Sequence, residues 1–509
     1  MQKHPFSEYA RKIKESGLLV AEHYPQDLEK EIIHKVSYNS NDVAANTLFV
    51  CKGLGFKEEY LDQAINKGAI AYISEKDYHK DIPCIIVNNI QETLSLVANI
   101  YYDYPWKKLK VIGVTGTKGK TTTAVYIKYI LDEYLRSIGK PAAGLITTDS
   151  IIDGKRKTAS HLTTPESLDL QLSFHNAVES GLQYMVVEVS SQALKYGRVS
   201  GVNFAVGVFL NISPDHISPV EHQDYADYFS SKLRLFAQCK TACLNLGSND
   251  VSQVLSAAQQ VEKVITFGMG QAADIYGYDN RVGSFGSTFR VRTELFDREF
   301  KLKMPGAFNI ENALAAIAVA QSLNIPEEYI AQGLQKAFVK GRMEVLISKD
   351  QNKVVIVDYA HNELSFTKLY ETVRKQYPDR TVVTVFGCPG EKAIIRRRDL
   401  GVISGLYSDK IVLTMEDPGE VDIRLICEEI AQYVKQNNNN YEIIEDRTEA
   451  IRHAIFLPEP DTVVLITGKG NERYQRIGRI NVPYPSDVEN AERFLAEYDT
   501  SLGKIKEAR

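Results

Sequence analysis

Cysteine is scarce, with six residues in a chain of 509: Cys51, Cys84, Cys239, Cys243, Cys388 and Cys427. Only Cys239 and Cys243 lie close together, and a single CxxxC with no further Cys or His nearby falls short of a zinc set. Buried, reduced thiols are the expectation. Long apolar runs are missing as well. No stretch of 18 apolar residues occurs, so no membrane-crossing helix is expected, and the span from Met1 to Leu19 lacks the apolar centre of a secretory signal. A cytoplasmic protein is expected. Basic charge is not in excess either, since 60 Lys+Arg stand against 65 Asp+Glu for a net charge of -5. That balance argues against a scaffold for nucleic acid or for an anionic membrane, both of which need a basic surface. Any anionic ligand must be held locally.

Low-complexity tracts and short repeats are absent, so domain boundaries come from Pro and Gly punctuation and from the rhythm of apolar strands. The length suggests about three domains at roughly 150 residues each. Tyr104-Pro-Trp-Lys-Lys108 reads as a first linker and Phe338 to Gly341 as a second boundary, which divides the chain into residues 1–107, 108–340 and 341–509. Between them Leu109 to Val114, Tyr184 to Val189, Phe204 to Leu210 and Thr241 to Leu246 are compact apolar runs separated by helix-like stretches. This rhythm predicts an α/β fold with a mostly parallel sheet. Ile275 to Lys303 alternates as an antiparallel segment would, and the Ala-rich Asn309 to Leu323 predicts a helix. The rhythm restarts with Val354 to Val357, Thr381 to Phe386, Lys410 to Thr414 and Thr462 to Thr467, a second α/β domain. Open parallel sheets bind ligands beyond the carboxyl ends of their strands, where Glu188, Asn211, Asp358, Gly387 and Gly468 fall.

The strongest local signal is Gly113-Val-Thr-Gly-Thr-Lys-Gly-Lys-Thr-Thr122, a Gly-rich turn between a predicted strand and the helical stretch Thr121 to Leu135. Glycines let backbone N–H groups approach phosphate oxygens, Lys120 can neutralise the β/γ-phosphates and the Thr121 hydroxyl can ligate Mg²⁺. The strict Gly-x4-Gly-Lys spacing would place Gly where Val114 stands, so the loop is a variant, GxxGxxGKT. Glu188, at the tip of a strand, suits either a Mg²⁺ shell or an N-cap or salt bridge. Asn211-Ile-Ser-Pro-Asp-His216 offers Asp215 and His216 to a site, although a lone His is commonly structural. Lys232, taken by itself, reads as a surface helix lysine. His161-Leu-Thr-Thr-Pro-Glu166 is a substrate loop or a helix start capped by Thr164. Arg342, beside an interdomain hinge, suits a phosphate contact or a surface ion pair.

The order of motifs then resembles the Mur ligase family of ATP-dependent amide-bond synthetases over nearly the whole chain. GVTGTKGKTT, TTPES, EVSSQALKYGRV, LNISPDHI, SSKLRLF, GAFNIENALAA, GRMEV, DYAH and GKGNE follow in family order. Within the family the pattern is most similar to members that add a diamino acid, the third residue, to UDP-N-acetylmuramoyl-L-Ala-D-Glu in peptidoglycan synthesis. The resemblance implies an N-terminal domain for the uridine nucleotide, a central P-loop ATPase and a C-terminal Rossmann-like domain for the amino acid. It implies phosphorylation of the D-Glu γ-carboxylate by ATP and attack of the incoming amine on the acyl phosphate, with catalysis by positioning and charge neutralisation.

Residue by residue, the resemblance assigns ATP to Gly116, Thr117, Lys118, Gly119, Lys120, Thr121 and Thr122, its adenine to Asn309 and Asn312, its ribose to Asp358 and its phosphates to Arg342. Thr121 and Glu188 would hold one Mg²⁺, and His216 and Lys232 would serve a second. The family's matching lysine is carboxylated by CO₂, which implies the same for Lys232. The nucleotide-peptide would meet Ser40, Thr163, Thr164, Ser190 and Arg198. Asn39 and Asn41 flank Ser40 where Asp and Arg are common, and Gln192 stands where many members carry His.

The amino acid would meet Lys392 with its backbone carboxylate, Glu472 with its amine, and Gly468. Relatives that take meso-diaminopimelate share an Asp-Asn-Pro-Arg segment whose Arg binds the distal carboxylate. Here the segment reads Glu416-Asp-Pro-Gly419, which offers two carboxylates and no cation. L-lysine is therefore favoured, with L-ornithine and meso-diaminopimelate as alternatives. A folylpolyglutamate-synthase-like ligase would lack the N-terminal domain, and a regulatory protein that binds ATP without making a bond could lose Lys232 or Thr163. A monomer without nucleic-acid partners is expected.

Overall fold

The computed structural model describes residues 3–507 apart from Leu54, His161, His216, Pro219, Val220 and Ser284. Three large sheets follow one another along the chain, and a two-stranded hairpin of Tyr474–Ile477 and Ile480–Pro483 lies near its end. The first holds β1 (Leu19–His23), β2 (Lys35–Ser37), β3 (Thr47–Val50), β4 (Ala69–Ser74) and β5 (Cys84–Val87) in the order β1-β5-β4-β3-β2, parallel except for β1. β3 and β5 are buried throughout, as their unbroken apolar sequences require of strands covered on both faces.

The second sheet contains β6 (Lys110–Thr115), β7 (Gly144–Ile146), β8 (Ser150–Ile152), β9 (Lys157–Ala159), β10 (Tyr184–Glu188), β11 (Phe204–Phe209), β12 (Cys239–Asn245), β13 (Lys263–Gly268), β14 (Ile275–Gly283), β15 (Gly286–Arg292) and β16 (Asp297–Leu302). Its order is β16-β15-β14-β13-β12-β11-β6-β10-β7-β8-β9, and the strands from β14 to β7 run parallel. Antiparallel hairpins finish both edges, which accounts for the alternating pattern from Ile275 onward. β6 lies between β10 and β11, so the strand order reverses there and opens a crevice beyond its carboxyl end. The helix Ala307–Ser322 is buried on nearly every side from Ala313 to Ala320, because alanines allow the sheet and neighbouring helices to close on it.

The third sheet comprises β17 (Glu344–Ile347), β18 (Lys353–Asp358), β19 (Thr381–Phe386), β20 (Lys410–Leu413), β21 (Tyr441–Ile443) and β22 (Thr462–Thr467), in the order β17-β18-β22-β19-β20-β21. Only β17 is antiparallel to its neighbour. The α/β reading with mostly parallel sheets therefore holds. Five of the six cysteines are buried and Cys239 is half-buried, and all are free thiols. Among the described residues no helix is long and apolar enough to cross a membrane.

Candidate active site at the junction of the second and third sheets

The phosphate loop leaves β6 at Thr115 and enters the helix Lys120–Ser137. Gly119 has φ +83°, and a Cβ there would lie 2.2 Å from Oδ1 of Asn312, so both conformation and space exclude a side chain. Asn211, at the end of β11, pins the loop from its other side. Its Oδ1 accepts from the Lys118 N–H at 2.8 Å, and its Nδ2 donates to the Lys118 carbonyl at 3.1 Å. Lys120 Nζ folds back to donate to the carbonyls of Gly116 and Thr117 at 3.0 and 3.1 Å. Burial pushes its ammonium down, opposed by Glu188 and Asp215.

Lys232 does not lie on the surface as the isolated helix suggests; it is 1% exposed. The inner face of the helix Tyr225–Leu233 carries Tyr228 and, one turn on, Lys232, so the lysine follows the aromatic ring inward. Its Nζ donates to the Gly116 carbonyl at 3.0 Å and lies 4.5 Å from the Tyr228 ring centroid. Burial, reinforced by Lys120 and Lys118, holds this amine well below the ordinary lysine range. His216 lies outside the described residues.

Glu188 ends β10 fully buried. Among the described residues it is neither a cap nor an ion-pair partner: it accepts from the Thr148 N–H at 3.1 Å and the Thr148 hydroxyl at 3.3 Å, and bonds the Thr121 hydroxyl. Burial raises its carboxyl above the usual range, against Lys120 and these hydrogen bonds. The Thr148 hydroxyl also bonds Thr163 at 3.1 Å. Thr164 does not cap the following helix, which begins at Ser167 after Glu166; its hydroxyl instead donates to the Glu188 carbonyl at 2.8 Å and accepts from Ser190 N–H at 3.0 Å. Ser190 caps the helix Ser191–Lys195. Arg198 donates to the Thr164 carbonyl at 3.3 Å and pairs with Glu166 at 3.0 Å, and Glu166 also pairs with Lys52 of the N-terminal segment. Ser40 stands apart from this chain of contacts, buried, with its hydroxyl donated to Gln63 at 3.0 Å.

Two cavities that share Lys118, Gly119, Thr122, Arg342, Tyr359 and His361 occupy the crevice. One of about 320 Å³ is lined by Lys118, Asn211, Asn309, Asn312, Arg342 and Asp358 among others. The second, about 140 Å³, is lined by the loop from Thr117 to Thr122 with Thr148, Thr163, Glu188 and Arg342. Asn309 donates to the Pro305 carbonyl at 2.7 Å, which fixes its amide at the cavity wall. Arg342 stacks 4.0 Å from the Tyr359 ring centroid and reaches the Thr121 hydroxyl at 3.5 Å, so it is no surface ion pair. Asp358 accepts from the N–H groups of Met343 and Ala360 at 2.8 and 2.7 Å, and burial raises its carboxyl.

The third sheet's strand ends supply a separate acidic group. Glu416 is 7% exposed, its Oε2 has no hydrogen-bond partner among the described residues, and burial pushes its carboxyl up to about 7. It packs against Gly468, where an added Cβ would lie 2.1 Å from Glu416 Oε2. Asp417 and Glu472 are both paired with Lys469, which is 1% exposed, and Glu472 also accepts from the Tyr359 hydroxyl at 2.7 Å. Lys469 sits inside the GKGNE motif three residues before Glu472, a spacing that brings the two side chains together and that the motif itself displays. Lys392 lies exposed in the loop before the helix Ile395–Tyr407, while the next cations, Arg396 and Arg397, are buried. Arg397 holds that loop by donating to the Pro389 and Gly390 carbonyls at 3.2 and 2.6 Å.

Residues 114–320 match the Mur ligase middle domain and 341–470 the Mur ligase glutamate ligase domain. The chain is 40% identical, over 90% of its length and 91% of the relative's, to the UDP-N-acetylmuramoyl-L-alanyl-D-glutamate--L-lysine ligase of Enterococcus faecalis. The chain belongs to the Mur ligase family. It is accordingly an ATP-dependent, amide-bond-forming enzyme. The equally named ligase of Streptococcus mutans is also 40% identical, over 91% of this chain and 92% of that one. A solved UDP-N-acetylmuramoyl-L-alanyl-D-glutamate--2,6-diaminopimelate ligase shares the Mur ligase fold at a TM-score of 0.65, with 23% identity over 98% of this chain and 99% of that one.

Proposed function

We propose that this enzyme joins L-lysine to the D-Glu γ-carboxylate of UDP-N-acetylmuramoyl-L-Ala-D-Glu at the expense of ATP, as a cytoplasmic monomer in peptidoglycan precursor synthesis. The observation that carries the choice of amino acid is the loop Glu416-Asp-Pro-Gly419. One oxygen of its buried Glu416 carboxylate has no hydrogen-bond partner among the described residues, and its last residue brings no cation. A second carboxylate on the substrate would be desolvated there beside Glu416, a repulsive arrangement, whereas a side-chain ammonium would be paired.

A bare carboxylate is a poor electrophile, so the γ-carboxylate first attacks the γ-phosphorus of ATP, releases ADP and becomes an acyl phosphate. The lysine α-amine then adds to the acyl carbon. The tetrahedral adduct collapses as the C–O bond to phosphate breaks, giving amide and inorganic phosphate, with the amine proton lost to solvent. The loop from Gly116 to Thr122 cradles the phosphates, Lys118, Lys120 and Arg342 neutralise charge that gathers on the transferring group, and Asn309, Asn312 and Asp358 orient the nucleoside. Thr163, Thr164, Ser190, Arg198 and, at the far end, Ser40 hold the nucleotide-peptide. Glu472 and Gly468 hold the amine of lysine, and Lys392 its carboxylate.

The oxygen donors of Thr121, Glu188 and Thr148 face one cavity, a hard set that fits Mg²⁺. Among the described residues no group of three or more His, Cys, Asp or Glu forms a metal cage, so phosphate oxygens and water would complete the shell. Thr121 and Glu188 would hold that ion, His216 and Lys232 a second, and Mg²⁺ so held supplies charge neutralisation at the phosphates. Burial holds the Lys232 amine well below the ordinary lysine range, which favours the uncharged form that adds to CO₂ with loss of a proton to give a carbamate.

The test is phosphate release from ATP with the nucleotide-dipeptide present, scanning L-lysine, L-ornithine, meso-diaminopimelate and no amino acid. Release with lysine alone is expected. Equal release with diaminopimelate would discard the reading of Gly419, and no release under any condition would discard the reaction.

A further inference from the structure

The second and third sheets are joined by a charged contact that the reaction as described does not use. Asp215, in the loop after β11, is 9% exposed. It accepts from Asn362 Nδ2 at 2.7 Å and from Arg396 Nη2 at 3.0 Å, both residues of the C-terminal segment. Asn362 caps the helix Glu363–Gln376, and Arg396 lies in the first turn of the helix Ile395–Tyr407, so the carboxylate faces the positive ends of two helices. Lys118 of the phosphate loop stands 3.5 Å from the same carboxylate and 3.0 Å from Nε2 of His361. The His361 Nδ1 donates to the Tyr359 carbonyl at 2.7 Å, which leaves Nε2 as the acceptor for the Lys118 ammonium.

Arg396 is itself 9% exposed, and its Nε has no hydrogen-bond partner among the described residues. The loop that leads to it carries Gly387 and Gly390 against the acidic segment: the Gly390 N–H donates to the Asp417 carbonyl at 3.3 Å. A guanidinium anchored on one sheet's loop thus meets a carboxylate anchored on the other's. Each is too buried for water to replace its partner.

We propose that Arg396 is a positioning residue which, by pairing with Asp215, locks the amino-acid loop of the C-terminal segment to the phosphate loop of the middle segment. The inference rests on the ligase reading above. Its consequence is that ATP and lysine support each other's binding, since both need the two segments closed, whereas the nucleotide-dipeptide, held by the first two segments, gains nothing from the pair.

The experiment compares wild type with Arg396→Gln, Asp215→Asn, the double variant and Arg396→Lys. The KM values for lysine and for ATP are expected to rise about tenfold or more in each single Gln or Asn variant, that for the nucleotide-dipeptide to stay within about twofold, and the double variant to lose no more than the worse single one. Arg396→Lys should recover part of the loss. Unchanged lysine KM with only kcat reduced, or losses that multiply in the double variant, would overturn the proposal. Backbone hydrogen exchange over residues 388–397 supplies an arm independent of turnover: faster exchange in Arg396→Gln at unchanged melting temperature is expected, and unchanged exchange counts against the lock. If wild type shows no lysine-dependent turnover, the ligase reading fails and the exchange arm alone decides the lock.

Discussion

Lys469 Nζ lies 2.9 Å from Oδ1 and 3.1 Å from Oδ2 of Asp417, and the same ammonium pairs with Glu472 at 2.5 Å. Two of the three carboxylates around the amino-acid loop therefore share the protein's own cation, and Glu416 is the one left to face the side-chain ammonium of the substrate. Replacing Lys469 by Met should strand two desolvated carboxylates. The expected cost is about 3–5 kcal/mol, the order found when one member of a buried pair is removed. Calorimetry should show the transition of the C-terminal segment several degrees lower, and an unchanged transition would mean that the pair carries no such weight.

Glu416 makes stability and lysine affinity depend on pH in opposite senses. Burial raises its folded-state carboxyl to about 7 from an ordinary 4.5, with Arg447 opposing. The folded protein then binds the extra proton between those values. The stabilising contribution is full below the unfolded value and is lost as pH rises through about 7, roughly 3 kcal/mol in all. A lysine ammonium needs the ionised form, so the KM for lysine should fall up to about tenfold between roughly pH 6 and pH 8. Glu416→Gln should give a high, flat KM and a melting temperature that no longer declines over that range. A wild-type KM that is flat with pH would remove Glu416 from the ammonium site.

Much of this arrangement was legible from strand rhythm and turn chemistry. β22 begins and ends where the run Thr462 to Thr467 does, and β6 is shifted by one residue from Leu109–Val114. Continuous β-branched runs bounded by Gly or Pro leave little freedom in placing a buried parallel strand. The small N-terminal sheet was not read, because β2 has three residues and β1 is an exposed edge with no clean alternation. Lys232 misled for a different reason. Polarity argues for the surface, and only the inward Tyr228 one turn earlier, together with the fold that brings Gly116 to it, explains its burial. Arg396 and Asp215 are 181 residues apart, and no local pattern encodes their meeting.

Gly419 tests the choice of substrate, and the structure changes how that test is designed. The residue has φ +61°, and a Cβ on it would lie 2.7 Å from Cδ of Glu391. Gly419→Arg alone would place its guanidinium beside the Glu391 carboxylate and strain the backbone by about 1 kcal/mol. The informative variant is Gly419→Arg combined with Glu391→Ala, which leaves the cation for a substrate carboxylate. The ratio of kcat/KM for meso-diaminopimelate to that for L-lysine should rise at least about tenfold, with the single variant in between. An unchanged ratio in the double variant would show that another position sets the choice.

Lys232 offers a test of the second charged site that does not depend on the amino acid. Its amine is buried against the Gly116 carbonyl and the Tyr228 ring, so Lys232→Ala leaves a cavity in which a small acid can lodge. Turnover should drop by more than about a hundredfold, a loss expected when a group that organises phosphoryl transfer is removed. Short carboxylic acids at millimolar concentration should restore part of it, because an acetate or formate carboxylate can stand where a lysine carbamate would project its own. Stripping bicarbonate and CO₂ from the buffer should slow wild type without affecting the acid-rescued variant. Wild-type turnover in Lys232→Ala would remove this lysine from the phosphate site, whereas full loss without rescue would keep the lysine but discard its carbamate.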